Sequence, residues 1–135
     1  MDTTTPYDLF RRMRQSWLGH PVALTGDEFA DDVIIEVPFA PPGQPTRFEG
    51  RQQFLDFANP QRAALPVRFD DCRTVAVHDT TDPNTIIVEY ELTGTSTRTN
   101  QQSSAGFVGV LEARDGKITR WREYQDTMAI MRALG

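Results

Sequence analysis

Hydrophobic positions along the chain follow two periods, and the change from one to the other falls near Pro66. Near the start, Leu9, Phe10, Met13, Trp17 and Leu18 recur every three or four residues, which predicts a helix. Thr5 is placed to cap it, Pro6 suits its first position, and Asp8 complements its positive end. Gly19 and Pro21 stop it. A second short helix is predicted over residues 22–30, weakened by Gly26. The β-branched run at 33–37 reads as a strand. Four prolines between Pro38 and Pro45 then impose a stiff loop. Phe54, Leu55, Phe57 and Ala58 mark a third helix over 51–59, stopped by Pro60.

Beyond Pro66 the period shortens to two. Strands are predicted over 69–77, 85–95, 101–113 and 117–125. The stretch Asp79-Thr80-Thr81-Asp82-Pro83-Asn84 turns between the first two, and Asp115-Gly116 is a strong hairpin signal before the last. The tail from Thr127 reads as a short closing helix or an extended segment. The order helix, helix, strand, helix, four strands implies an α+β domain with helices on one face of a curved antiparallel sheet. At 135 residues, 39% of them hydrophobic, the whole chain 1–135 suits a single domain with one core.

Composition narrows the function. The net charge of −5 repels nucleic acid and anionic membranes, so neither is expected as a partner. Apolar runs of about five residues are far short of the roughly 20 that span a bilayer. The polar, acidic N-terminus does not read as a signal peptide. The single cysteine, Cys72, excludes an internal disulfide and fits a cytoplasmic setting. With two distant histidines, His20 (read as a surface residue) and His78 (read as structural), no metal site is expected, and no phosphate-binding loop or nucleotide fingerprint is present. No cofactor is therefore expected.

Two stretches carry a family resemblance. One runs FADDVIIEVPFAPPG into FEGRQQFLDF; the other is GVLEARDGKITRWREYQD at 109–126. Both are similar to SnoaL-like proteins of the nuclear transport factor 2-like superfamily, and the second also resembles limonene-epoxide hydrolases. Together with the element order the resemblance covers about residues 7–131. It implies a cone-shaped, mixed, mainly antiparallel sheet, with three helices from the N-terminal half on its concave face, around a pocket for a mostly apolar small molecule.

The resemblance further implies that Trp121, Glu123 and Gln125 point into the cone, one face of an alternating strand. Glu123 matches the place of an acidic catalytic residue. The hydrolases' Arg-x-Asp pair matches Glu89 and Glu91. Three carboxylates in a dry pocket cannot all be ionised, so one would hold a proton and serve acid–base chemistry. A register one residue different would instead turn Glu89 and Glu91 to solvent and put Val88, Tyr90 and Leu92 inside. The hydrolases' water-positioning Tyr and Asn match Ile35 and Val37. The ketosteroid isomerases' base also matches Val37. Neither mechanism is therefore expected.

Trp17, Met13, Phe54 and Phe107 are candidates to line the pocket or simply fill the core, with Trp121 as a stacking partner and Phe39 as a lid on a stiff rim. Gly94, Gly106 and Gly109 read as positions of curvature or close packing. Val108, Val110, Ile118 and Tyr124 would leave an apolar outer sheet face, and related proteins dimerise there, so a homodimer is expected. Two functions are consistent with these features. One is a cofactor-independent isomerase, cyclase or hydratase for a polycyclic, polyketide-like or terpenoid molecule. The other is a non-catalytic binding or dimerisation module of the same fold.

Overall fold

The computed structural model describes residues 3–19 and 22–135. Helix α1 (Pro6–Leu18) starts as the sequence predicts: the Thr5 side chain accepts from the Asp8 amide and the Asp8 carboxylate accepts from the Thr5 amide. Strand β1 (Phe29–Glu36) comes next, then the short β2 (Arg47–Glu49), helix α2 (Arg51–Ala64), and the long strands β3 (Val67–Asp79), β4 (Thr85–Ser96), β5 (Gln102–Arg114) and β6 (Lys117–Gln125). Helix α3 (Thr127–Leu134) closes the chain.

The six strands form one mixed sheet in the order β2-β1-β6-β5-β4-β3. β1 runs parallel to β6 and every other neighbour pair is antiparallel. The sheet does not close, and three helices pack against it in an α+β arrangement. Leu9, Phe10 and Met13 of α1 are fully buried against Val33, Ile35, Val88, Tyr90 and Leu111. Burial of each such side chain stabilises by about 1.5–3 kcal/mol. Among the described residues, no helix is long and apolar enough to cross a membrane.

Three expectations need correction. Residues 22–30 form no helix. Gly26 sits at φ +71° and its carbonyl accepts from the Phe29 amide, which turns the chain into β1. The third helix therefore comes from the C-terminus, not from the N-terminal half. Second, α2 does not stop at Pro60 but runs on to Ala64. Tertiary anchors outweigh the roughly 3 kcal/mol that an internal proline costs. Asn59 bonds both backbone groups of Leu24, and Arg62 donates to the carbonyls of Ser16, Trp17 and Val22. Third, Ile118 is not on the outer face but fully buried. Strand β6 changes register against β5 between Arg120 and Ile118, leaving Thr119 as an extra residue and inverting the alternation before it. Val108 and Tyr124 keep outward positions, Val108 exposed and Tyr124 half-buried. His20 lies outside the described residues.

Candidate active site

The bulge at Thr119 sets the inner face of the rest of β6. From there on Trp121, Glu123 and Gln125 share the inner face, the one the resemblance implies. Opposite Glu123 across the β5–β6 ladder stands Gly109. A β-carbon there would lie 2.0 Å from the Trp121 ring, so only glycine lets the indole lie flat across β5.

Glu123 sits in an aromatic setting. The Tyr90 hydroxyl donates a short hydrogen bond to its Oε2. The Tyr90 ring lies nearly parallel to Phe107, 5.1 Å between centroids and 4° between planes. Trp17 is 5.3 Å from Tyr90, and Trp121 is 6.2 Å from it on another side. Carboxylates lose most of their hydration in such a place, which favours the protonated form. Burial accordingly pushes the Glu123 carboxyl up from 4.5 to about 6, while the Tyr90 bond pulls in the other direction. Burial first, then the neighbouring Glu123 charge, pushes the Tyr90 phenol well above its usual value, so it stays a neutral donor. No ion pair reaches Glu123 among the described residues. Burial also pushes the nearby Cys72 thiol up to about 11, which leaves it protonated.

Glu123 and Tyr90 line a cavity of about 330 Å³, within the size range of small-molecule sites. Its walls are mainly apolar. β3 supplies Val67 and Phe69, β4 Leu92, β5 Ala105 and Phe107, and α1 Trp17. Helix α3 covers one side with Ile130, Ala133 and Leu134. Arg62, Gln101, Gln125 and serines 96, 103 and 104 add polar groups to the wall. A second chamber of about 90 Å³ also has Glu123 in its wall, with Met13, Ser16, Glu28, Phe54 and Trp121 in its lining.

The predicted residues thus divide. Glu123, Trp17, Phe107 and Gln125 line the main cavity. Met13, Phe54 and Trp121 line the smaller chamber, which Trp17 and Glu123 share. Phe39 is no lid: it is 59% exposed and packs edge-on against Tyr124 at 5.3 Å. Glu89 and Glu91 do not enter the pocket. Glu89 meets His78 at 2.6 Å and Glu91 meets Arg73 at 3.6 Å, on the face opposite Tyr90. Tyr90 and Leu92 occupy the inner positions instead. The signal is present in the β4 sequence, where Ile86, Val88, Tyr90 and Leu92 alternate with Glu89, Glu91 and Thr93. Arg62 and Glu28 carry no such signal, because their places depend on tertiary contacts. Among the described residues, no group of three or more His, Cys, Asp and Glu is arranged to hold a metal ion.

A mixed sheet with helices over one face is the fold that this chain shares with known structures. The family model for the SnoaL-like domain matches residues 10–121, and the chain belongs to that family. An uncharacterized PhzA/B-like protein of Pseudomonas aeruginosa is 34% identical over 109 residues, 81% of this chain and 75% of that protein. A proposed isomerase from Bacillus subtilis superposes with a TM-score of 0.84 at 23% identity, covering 95% of this chain and 91% of its own. An LEH-like epoxide hydrolase of M. tuberculosis gives 0.69 at 17% identity over 96% and 88%. A proposed polyketide cyclase of Pseudomonas putida gives 0.73 at 16% over 98% and 99%. At these identities the structures share the fold alone.

Proposed function

We propose that this protein is a cofactor-independent acid–base catalyst that isomerises, cyclises or hydrates an apolar, ring-bearing small molecule. The observation that carries this reading is the half-buried Glu123, its carboxyl raised to about 6 by loss of hydration, at the wall of a mainly apolar cavity of about 330 Å³. A carboxyl tuned close to neutrality is efficient both as base and as acid. In this reading Glu123 takes a proton from a substrate C–H or O–H group and returns it at another atom. Tyr90 holds the carboxylate in place by its hydrogen bond and remains protonated throughout. The stacked Tyr90 and Phe107 rings give the wall aromatic surface suited to a ring-bearing ligand.

Thermal-shift screening with polycyclic ketones, terpenoids and aromatic polyketides tests the pocket. A ligand at a hundred times its dissociation constant adds about 2.7 kcal/mol of stability. Turnover of a hit by the wild type and its loss in Glu123→Gln, with binding retained, supports catalysis. Turnover that survives in Glu123→Gln contradicts it. Binding without turnover in the wild type points to a binding module. A homodimer is a second proposal, resting on outward-facing Val108, Val110 and Tyr124; a monomer in sedimentation equilibrium would overturn it.

A further inference from the structure

Glu123, Trp17 and Leu24 belong to the walls of both cavities, so the acid borders two spaces. An apolar ligand in the main cavity displaces water from the first. Any exchange of the Glu123 proton with solvent then takes another route. We propose that the smaller chamber is a hydrated passage that joins Glu123 to Glu28 and connects the acid to solvent while the main cavity is filled. The use of this passage in catalysis rests on the function proposed above; its hydration does not.

The chamber's size and three polar side chains in a mainly apolar wall admit water. Liquid water occupies roughly 30 Å³ per molecule, so a chamber of about 90 Å³ accommodates a few. A buried water needs two to four polar partners. The chamber offers the Glu28 and Glu123 carboxyls and the Ser16 hydroxyl. That hydroxyl donates to the Met13 carbonyl at 2.6 Å, which leaves its oxygen free to accept from water. Glu28 lies in the turn before β1, is half-buried and lines the chamber. Burial raises its pKa above the usual value, as a group facing an apolar surround requires. Asp27, Lys117 and Arg12 are its charged neighbours, and the Lys117 ammonium is engaged by the Asp27 carbonyl at 2.6 Å. Tyr90 and Cys72 are the titratable neighbours of Glu123. No hydrogen bond links Glu28 to Glu123 among the described residues, so water carries the proton. Protonated Glu123 gives its proton to a chamber water, that water gives one to the Glu28 carboxylate, and Glu28 releases it to bulk. The reverse sequence reloads Glu123.

The test tracks the Glu123 carboxyl by ¹³C NMR in protein labelled at glutamate Cδ, comparing wild type, Glu28→Leu and Glu28→Gln. Glu28→Leu removes an anchor of the chamber water and should lower the Glu123 acid constant about tenfold, raising its midpoint. Glu28→Gln keeps a polar anchor and should move it little. A lowered midpoint in Glu28→Leu would show that Glu28 acts as a nearby negative charge and overturn the passage. No change would overturn it equally. Wild-type crystals give an independent reading that no folding defect can confuse. Ordered water between the two carboxyls, with no xenon entering under pressure, is expected; xenon in the chamber would overturn the proposal. Full turnover in Glu123→Gln would remove the catalytic reading and leave these results standing.

Discussion

Glu123 and Glu91 are the same residue type on two strands of one sheet, yet the sheet separates two chemistries. On the inner face, Glu123 is packed among aromatic rings with a phenol as its partner, and its carboxyl is pushed up to about 6. On the outer face, Glu91 faces Arg73 at 3.6 Å and Glu89 faces His78 at 2.6 Å, each with about two fifths of its side chain exposed. Water and counter-charges make the outer pairs interchangeable surface features, worth roughly 0–1 kcal/mol. Aromatic enclosure makes the inner acid costly to ionise, and that cost is what fits it for proton transfer. A side chain's face in the sheet, more than its identity, decides its role.

The comparison breaks most sharply in turnover. Glu123→Gln should slow any reaction found for this site by about 10²–10⁴-fold, whereas Glu91→Gln should leave it within about twofold; steady-state kinetics of both variants on one substrate decides. Gly109→Ala should come next. Its new methyl would overlap the Trp121 ring, destabilising by about 3 kcal/mol and lowering the melting temperature by roughly 10 °C in calorimetry.

The third effect is on the pH dependence of stability. The folded Glu123 carboxyl keeps its proton up to about pH 6, against 4.5 for the ordinary group. Between those values the unfolded chain has already released the proton that the folded chain retains, so stability contributed by this group is present at low pH and is lost as pH rises. The gap amounts to about 2 kcal/mol. Glu123→Gln removes it, so that variant should be about 2 kcal/mol more stable than wild type at pH 8 and close to it at pH 4 in urea unfolding. A constant difference across that range would deny the burial of the charge. The smallest effect belongs to the outer face: Glu89→Gln should change stability by under about 0.5 kcal/mol at any pH.

Much of this contrast is legible in the chain. The cap at Thr5 and Asp8 and the bounds of β6 obey local rules that no tertiary contact overrides, while the resemblance sets Trp121, Glu123 and Gln125 inward. The resemblance to SnoaL-like proteins carries the identity of the acid. Matching Glu89 and Glu91 to another family's pair sets them inward, although the apolar positions 88, 90 and 92 already indicate the opposite face. Simple alternation misplaces Ile118, because a bulge at Thr119 shifts register without any residue that announces it. Pro60 is the opposite case, a strong local signal overruled by the contacts of Asn59 and Arg62. Glu28 is out of reach of local rules, since its place beside the chamber arises from a turn that the sequence suggests as helix.

Glu123 is a half-buried acid tuned close to neutrality by its aromatic surround and held by Tyr90. Its carboxyl ¹³C titration in the wild type and in Tyr90→Phe measures this directly. The account expects a wild-type midpoint of about 6 that moves higher when the phenol no longer stabilises the carboxylate. A wild-type midpoint at the ordinary 4.5, unmoved by Tyr90→Phe, would contradict it.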